Sequence, residues 1–375
     1  MKNKLYYGLI FVFFVLLGCE SMDDTYKEFI RDGEIVYVGT ADSVKIFPGR
    51  NRLILNFLIS DPTATKALVL WNNQTDSLGI PIQRVYQTDT ISTELTGLKE
   101  GSYSFDIYTF DDEDNSSVVV NAVGNVYGDH YIESLLDTPV KGAYVNETDN
   151  TRIDVAWGTA DETALGSEVI YTDSSKETHT LFVPSGEKST ALTDYLSGSS
   201  FRYRTFYLPE ETAIDTFYTS YKTAVVKGVA TEYSKSGWVA SGTDYDTGNS
   251  RPPKNTIDNN ESTVWHMNKT TSYPHSMSID MGEVLTVSGF TFVQRSPLDG
   301  AAKVTEIRIS TDGVEWSTVG EFTLENVTGK QLVELSVNVS CRYFEVIVKS
   351  DYKNGQFTAI AEIGAYWREQ FSGTE

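Results

Sequence analysis

Apolar and polar positions alternate in many short runs between residues 25 and 228, and Gly, Asn, Asp and Pro interrupt these runs. One of the clearest runs places Tyr103, Phe105, Ile107 and Thr109 in alternation with Ser104, Asp106 and Tyr108. A period of two directs alternate side chains to opposite faces of a strand, whereas a helix needs apolar residues every three or four positions. No long stretch of this region has the helical period, so the pattern predicts an all-β structure.

The region also repeats itself at an offset close to 100 residues. The matching segments are Arg52-Leu53-Ile54-Leu55-Asn56-Phe57 with Arg152-Ile153-Asp154-Val155-Ala156-Trp157, Leu68-Val69-Leu70-Trp71 with Glu168-Val169-Ile170-Tyr171, and Ser92-Thr93-Glu94-Leu95-Thr96 with Ser189-Thr190-Ala191-Leu192-Thr193. Three matches at a nearly constant offset indicate two copies of one domain of about 100 residues, the usual size of an immunoglobulin-like sandwich. We place the copies at residues 25–129 and 130–228.

The order of motifs in each copy resembles fibronectin type III modules, with an aromatic residue at the end of an early strand and a Leu followed by a Gly turn into a later strand. As a whole, the region is similar to an uncharacterised domain that recurs in polysaccharide-utilisation lipoproteins. Because a sandwich fold alone confers no function, two interpretations stay open. The two copies are a spacer, which we favour, or they carry a binding surface.

Residues 1–18 have a different character, because Lys2 and Lys4 precede an apolar run from Leu9 to Leu17. The run is short for a membrane span and has the layout of a secretory signal peptide. The sequence Leu16-Leu17-Gly18-Cys19 resembles a bacterial lipoprotein box, which implies cleavage before Cys19 and a lipid on that cysteine. Residues 19–24 then form an acidic tether similar to the surface-export signal of polysaccharide-utilisation lipoproteins. This resemblance implies a lipid-anchored protein of the outer membrane, exposed at the cell surface; the alternative is an uncleaved anchor helix.

The net charge of −22 opposes binding to polyanions, and no run of Lys and Arg offers phosphate contacts. Nucleic acid and anionic lipid headgroups are therefore poor candidates for partners. The second of the two cysteines, Cys341, lies in an alternating apolar run, so the chain has no intrachain disulfide framework. We expect its thiol to face a core as a small apolar group.

The last third of the chain carries five short motifs in a fixed order. They are Asn255-Thr256-Ile257-Asp258-Asn259-Asn260-Glu261-Ser262-Thr263-Val264-Trp265, Ser278-Ile279-Asp280-Met281-Gly282, Ser310-Thr311-Asp312-Gly313-Val314-Glu315-Trp316, Arg342-Tyr343-Phe344 and Ala361-Glu362-Ile363. Together they resemble the discoidin-like family, the coagulation-factor type C domains, whose bacterial members are mostly carbohydrate-binding modules. The resemblance implies a galactose-binding-like jelly roll at residues 229–368, followed by a tail at 369–375. The fold class is then all-β throughout: two fibronectin-III-like sandwiches and one jelly roll.

The resemblance implies that six side chains of this domain lie in its core, since such positions pack the two sheets of the family's jelly roll, and their apolar alternation agrees: Trp265, Ile279, Ile309, Trp316, Phe344 and Val346. The pair Asp312-Gly313 predicts a tight hairpin turn between two strands.

A structural calcium ion is a further implication of the resemblance. In the discoidin-like carbohydrate modules, the residues that match Asp258, Thr263 and Glu362 hold calcium, with Asn260 at a variable position. Calcium takes six to eight oxygen ligands, and this polar loop offers both carboxylate and backbone oxygens. Asn259 replaces the usual Gly and must tolerate its turn conformation. The alternative is that Asp258 caps the turn and Glu362 pairs with a nearby arginine.

Ligand selection belongs to the loops at one end of the predicted jelly roll: residues 244–256, 266–275, 295–301 and 351–357. A sugar needs a flat aromatic face and fixed hydrogen-bonding groups, and Tyr, His, Arg and Asn supply both. The candidate ligand-binding residues are His266, Arg295, Tyr273, His275, Arg251 and Tyr352. His266 and Arg295 come first, since each directly follows a predicted strand.

Catalytic motifs are missing from the sequence: there is no nucleophile elbow, zinc-protease helix or phosphate loop. We therefore expect a non-enzymatic surface lipoprotein that binds glycan and acts with the proteins of a glycan-uptake system. The alternative is an adhesin or assembly subunit that binds a protein or host matrix. An enzyme is the least favoured interpretation, because no acid, base and nucleophile set can be recognised.

Overall fold

The computed structural model describes residues 37–242 and 244–372, and most of them lie in β-strands or in the turns between strands. The predicted signal peptide, the lipidated Cys19 and the acidic tether lie outside the described residues. None of the helices in the described part of the chain is long and apolar enough to span a membrane. The described residues form two compact units, one comprising residues up to 136 with 162–165 and 206–219, the other the remainder.

The first sandwich contains seven strands. They are β1 (Asp42–Pro48), β2 (Arg52–Ile59), β3 (Lys66–Trp71), β4 (Asp76–Pro81), β5 (Asp89–Thr96), β6 (Gly101–Phe110) and β7 (Val120–Val126). One sheet has the order β1-β2-β5 and the other β4-β3-β6-β7. Their inner faces meet in a core that includes Leu55, Phe57, Val69, Phe105 and Ile107, as the alternation in β6 predicted.

The second sandwich repeats this arrangement after a short helix α1 (Asp129–Ser134). Its strands are β8 (Val140–Val145), β9 (Ile153–Trp157), β10 (Ala164–Thr172), β11 (Thr178–Pro184), β12 (Ser189–Leu192), β13 (Phe201–Tyr207), β14 (Phe217–Tyr218), β15 (Lys222–Ala224) and β16 (Val226–Lys227). The orders β12-β9-β8 and β11-β10-β13 correspond to β5-β2-β1 and β4-β3-β6 of the first sandwich. The repeat found in the sequence is therefore a repeat of one fold.

The last domain contains eight strands and a 3₁₀ helix at Pro253–Thr256. The strands are β17 (Thr231–Glu232), β18 (Val239–Ser241), β19 (Trp265–His266), β20 (His275–Gln294), β21 (Ala302–Ser310), β22 (Ser317–Thr323), β23 (Lys330–Asp351) and β24 (Ala359–Trp367). Strands β21 and β22 pair around Gly313, whose φ is +80°, so the hairpin predicted at Asp312-Gly313 is confirmed.

Two long strands, β20 and β23, give this domain its jelly-roll form. Their first pairing region, at 275–280 with 343–348, is separated from the second, at 285–293 with 330–341, by a register shift. The first region also pairs with β18, and the second pairs with β24. A register shift of this kind bends and twists a strand, which allows each long strand to contribute to both layers around the core.

The core of the jelly roll contains Trp265, Ile279, Phe344, Val346 and Cys341, all essentially inaccessible to solvent. Burial raises the pKa of the Cys341 thiol to about 12, as expected for a thiol that acts as a small apolar group. Ile309 packs against this core from its edge. The prediction for Trp316 was wrong: it is only half-buried, because it directly precedes β22 at the edge of the sheet.

Residues predicted as a tail contain a further strand, β25 (Gln370–Phe371), which pairs with β16 of the second sandwich. Between β24 and β25 lies Arg368, which is 6% exposed and donates to the Gly228 carbonyl at 2.7 Å. Its guanidinium also lies 3.6 Å from Glu334 and 5.2 Å from the Tyr144 ring centre. The jelly roll and the second sandwich thus share a buried charged contact and a strand pairing.

Candidate functional site

The four predicted ligand loops meet at one end of the jelly roll. Backbone hydrogen bonds join them in pairs: His266 N–H to Arg251 O at 3.2 Å, Met267 N–H to Thr358 O at 3.1 Å, and Ala359 N–H to Gly300 O at 3.2 Å. Each loop follows or precedes a strand of the same sheet, so sheet pairing brings the loops together. The sequence placed these loops correctly at a common end.

His266 is a deeply placed polar side chain of this end, with an exposed fraction of 1%. Its Nδ1 lies 2.7 Å from the Met267 carbonyl, which can only accept, so Nδ1 carries the proton in the neutral ring. Burial first, and then the cations Arg251, Lys269 and Arg295, lower the pKa of His266 and favour this neutral form. The Nε2 lone pair has no partner in the described ranges and can accept a hydrogen bond from a ligand.

Phe357 holds the His266 ring in place from one side. The two rings are stacked with centroids 5.0 Å apart and an interplanar angle of 16°. Phe357 remains half-buried rather than buried, and the Lys269 Nζ lies 4.9 Å from its ring centre. Neither residue was among the sequence candidates, although both lie within the predicted loops. The available signal was an aromatic residue immediately before the last long strand of the domain.

Three cations surround His266 without a carboxylate partner of their own. Arg251 and Arg295 are half-buried, Lys269 is exposed, and none of the three forms an ion pair with another described residue. Two carboxylates interact electrostatically with these cations without an ion-pair contact, Asp246 with Arg251, and Asp299 with Arg295 and Lys269, and Asp299 itself pairs with Lys353 at 2.7 Å. Positive charge is therefore available to a ligand at this end of a chain whose net charge is −22.

His275 has a different role from His266. Both of its ring nitrogens are occupied, Nδ1 by Asp244 and Nε2 by the Gln356 carbonyl at 2.6 Å, and the side chain is buried. Asp244 also accepts from Asn268 N–H at 3.1 Å and Thr271 Oγ1 at 3.0 Å. The pair therefore joins three loops and has no free hydrogen-bonding group for a ligand.

Tyr273 and Tyr352 are also engaged with the protein. The Tyr273 hydroxyl donates to Asp351 at 3.1 Å, and burial together with that carboxylate raises its pKa. The Tyr352 hydroxyl donates to the Leu324 carbonyl at 2.7 Å, and the Lys303 ammonium lies 5.6 Å from its ring centre. Tyr352 stays 37% exposed, so its ring edge can still meet a ligand, whereas Tyr273 packs against the core. Of the six sequence candidates, His266, Arg251 and Arg295 are the ones with unoccupied hydrogen-bonding groups.

A second cluster, formed by oxygen atoms, lies in the 255–263 loop. Thr263 Oγ1 is 2.7 Å from Asp258 Oδ2, 2.8 Å from the Asn260 carbonyl and 3.4 Å from the Asn255 carbonyl. One hydroxyl proton cannot satisfy three acceptors, so this loop gathers more oxygen acceptors than donors, and hard oxygen atoms are the ligands that calcium takes. Asn259 has φ +60°, which confirms that Asn can take the turn position where Gly is usual.

Glu362 closes this cluster from the last long strand. Its Oε1 accepts the Asn260 N–H at 2.8 Å, and its proximity to Asp258 adds to the effect of burial, which raises the pKa of Glu362. The Asn260 side chain turns away and accepts from Ser262 N–H at 3.1 Å, so its backbone oxygen rather than its amide joins the cluster. The donor set of Asp258, Thr263, Glu362 and two carbonyls fits a calcium ion.

Glu362 also has a cationic partner that the sequence did not suggest. Its Oε2 pairs with the Nζ of Lys235, and both side chains are only 8% exposed. The alternative interpretation of the sequence expected an arginine at this place. The Lys235–Glu362 pair lines a cleft of about 220 Å³ together with Asn259, Glu261, Glu232 and Lys330.

Comparison with known families gives two matches along the chain. Residues 19–217 match the model of DUF4998, a domain of unknown function. Residues 239–363 match the model of the F5/8 type C domain. The second match contains both the ligand loops and the oxygen cluster.

Comparison with individual proteins finds similarity over about a third of the chain. A sialidase from Micromonospora viridifaciens is 27% identical over 117 residues, which are 29% of this chain and 18% of that protein. The family 32 carbohydrate-binding module of C. perfringens NanJ, solved with galactose, is 24% identical and covers 37% of this chain and 99% of its own, with a TM-score of 0.34. The C-terminal domain of a chitobiase from Bacteroides fragilis is 23% identical, and the match covers 37% of this chain and 99% of that domain, also with a TM-score of 0.34. This chain spans about a fifth of the sialidase.

Proposed function

Because the chain belongs to the DUF4998 family and carries an F5/8 type C domain at residues 239–363, we propose that it is a carbohydrate-binding protein. The observation that supports this best is the end of the jelly roll, where His266 offers an unoccupied Nε2 beside Phe357 and three unpaired cations. A sugar hydroxyl can donate to Nε2, and the exposed part of the Phe357 ring can pack against sugar C–H groups.

The preferred ligand carries a carboxylate or a sulfate. Arg251, Lys269 and Arg295 can each donate to an acidic group, and such charge-assisted hydrogen bonds are stronger than those to neutral hydroxyls. Few groups of the site are rigid, so we expect a dissociation constant of about 1 μM to 1 mM. Binding takes place without catalysis, since the available Nε2 is accompanied by cations rather than by an acid and a nucleophile.

Two further parts of the proposal concern the chain as a whole. It is anchored in the outer membrane through a lipid on Cys19 and holds the jelly roll at the cell surface, where it captures glycan for uptake proteins. Calcium bound by Asp258, Thr263, Glu362 and the carbonyls of Asn255 and Asn260 would hold the 255–263 loop to the end of the fold. The first sandwich and the second act as a spacer.

A glycan array that contains acidic oligosaccharides and their neutral counterparts tests the proposal on the full chain in mild detergent. We expect binding to a coherent acidic set, and we expect it to weaken as salt rises, because exposed charges are screened. Arg295→Gln should weaken binding about tenfold, the effect of losing one charge-assisted hydrogen bond. Arg308→Gln is the matched control, since Arg308 is paired with Glu306 on β21, away from the loops.

The outcomes separate the parts of the proposal. Equal binding to acidic and neutral members of the array would contradict the acidic preference and leave carbohydrate binding intact. An array without any binding, both with calcium and with a chelator, would contradict carbohydrate binding itself. Capture of a protein partner by the chain in that case would favour the adhesin interpretation.

A further inference from the structure

Lys235 lies in the linker between β17 and β18, 127 residues before its partner Glu362. The linker is fixed by a turn, since Trp238 N–H donates to the Lys235 carbonyl at 3.1 Å. The Lys235 side chain runs along the inner strand β24, where its Cε lies 3.4 Å from the Cβ position that a side chain at residue 364 would occupy. A side chain at residue 364 would clash first with Thr291 Oγ1, at 2.6 Å, and would lie in ordinary contact with the lysine.

The Lys235 ammonium changes the charge of this cluster. Asp258 and Glu362 supply two negative charges close together, and Lys235 supplies one positive charge on the oxygen of Glu362 that does not face the loop. Leaving one buried carboxylate without a partner is strongly destabilising, so a buried Glu362 needs a cation whether or not a metal ion is present. An ammonium delivered by the chain itself meets this need permanently.

Glu362 can therefore hold the loop without an ion. Its Oε1 accepts from Asn260 in the loop, while its Oε2 is held by Lys235 from the linker. The carboxylate connects three segments, the 258–263 loop, the β17–β18 linker and β24. The same ammonium lowers the net negative charge that a calcium ion would meet, and ligand charge is one of the factors that set calcium affinity.

We propose that Lys235 is a built-in counter-cation for Glu362, which keeps the 258–263 loop closed against β24 when calcium is scarce and lowers the affinity of the oxygen cluster for calcium. The F5/8 type C domain of this chain is then stable in the absence of the ion. Calcium binding would hold the 258–263 loop more firmly against β24, but the fold does not require the ion.

Thermal unfolding of the full chain with calcium and with a chelator tests this proposal. Tryptophan fluorescence is a suitable signal, because four of the six tryptophans, Trp238, Trp265, Trp316 and Trp367, lie in this domain. We expect the chelator to lower the Tm of the wild-type chain by less than about 2 °C. The Tm of Lys235→Met should be about 5–10 °C below that of the wild type in chelator, and calcium should restore most of this loss. Calorimetry should show that the variant binds calcium at least about tenfold more tightly than the wild type.

Two variants serve as controls. Lys330→Met removes a lysine from the same cleft, but Lys330 pairs with Glu232 and is half exposed, so this variant should behave as wild type. Lys235→Met combined with Glu362→Gln removes both charges and should regain stability in chelator without responding to calcium. This double variant keeps the test decisive if Lys235→Met alone fails to fold.

Two results would overturn the proposal. The first is a wild-type chain that loses as much stability in chelator as Lys235→Met does, because the ammonium would then be insufficient for the fold. The second is a Lys235→Met variant, or a double variant where the single one does not fold, whose stability and calcium affinity match those of the wild type.

Discussion

Two histidines of the same domain, both chosen from the sequence, differ in what they offer a ligand. His275 uses both ring nitrogens within the protein, whereas His266 uses only Nδ1. The difference arises from what meets the ring nitrogens: a carboxylate and a carbonyl meet the two nitrogens of His275, whereas one carbonyl meets Nδ1 of His266. The type of residue alone could not distinguish a residue that holds loops together from one that keeps a ring nitrogen without a partner among the described residues.

The lowered pKa of His266 predicts a pH dependence of stability. The ordinary pKa near 6.5 applies to the unfolded chain, and burial with Arg251, Lys269 and Arg295 moves the folded value below it. Between the two values the unfolded chain binds more protons, so the contribution of a neutral His266 is complete above pH 6.5 and is lost as the pH falls. The stability advantage of the wild type over His266→Gln should therefore shrink from about pH 7.5 to about pH 5.5.

Urea unfolding of both proteins at the two pH values measures this difference. Because all other titrating groups are shared, they cancel in the comparison of wild type with variant. A free-energy difference that is the same at both pH values would show that His266 titrates normally and is not held neutral by its surroundings.

At the level of elements, the last strand links two folds that the sequence presents as separate. Strand β25 leaves the jelly roll and adds to the sheet of the second sandwich, next to β16, which in turn pairs with β8. Arg368 precedes this strand and is buried between Tyr144, Glu334 and the Gly228 carbonyl. A guanidinium can satisfy several acceptors in one plane while it stacks on an aromatic ring, which suits this junction.

Replacing Arg368 tests how strongly this junction is held. Arg368→Met removes a hydrogen bond to a backbone carbonyl and leaves half-buried Glu334 with one cationic partner fewer, so we expect a loss of about 1–3 kcal/mol in the free energy of unfolding. Arg308→Met is the control, because Arg308 is 43% exposed and exposed pairs contribute about 1 kcal/mol or less. If the two variants lost the same free energy of unfolding in urea, the buried contact of Arg368 would contribute no more stability than an exposed ion pair.

At the scale of the whole molecule, the chain combines a membrane anchor expected from its sequence, two sandwiches and one recognition domain. The expected anchor would depend on Cys19, at the end of the segment that resembles a lipoprotein box. Cys341 is the only other cysteine, and it is buried in the jelly-roll core. We therefore expect Cys19 to serve the anchor, whereas Cys341 belongs to the core of the fold.

Substitution of each cysteine tests the anchor. Cys19→Ser should abolish incorporation of a labelled fatty acid and release the chain from the membrane fraction, because a stable anchor requires the acyl chains. Cys341→Ala should keep the label and the membrane location, since its thiol lies in the core and carries no lipid. Membrane attachment that persists in Cys19→Ser would favour the uncleaved anchor helix.

Local patterns in the sequence were sufficient for the architecture. The alternation of apolar and polar positions predicted strands, the offset near 100 residues predicted two equivalent sandwiches, and five ordered motifs predicted the jelly roll with its ligand loops at one end. These features depend on neighbouring residues and on the period of two in a strand, so they can be read along the chain. The edge position of Trp316 was missed because the motif does not show which strand has no neighbour beyond it.

Only the tertiary structure decided which polar groups are free and which are paired. Lys235 meets Glu362 across 127 residues, and Phe357 meets His266 across 91 positions of the sequence. Partnerships of this kind depend on distances of a few ångströms between residues remote in sequence, and no periodic pattern records them. For that reason the sequence determined the fold and the loops that hold the candidate residues, while the geometry determined which of their polar groups have a partner in the protein.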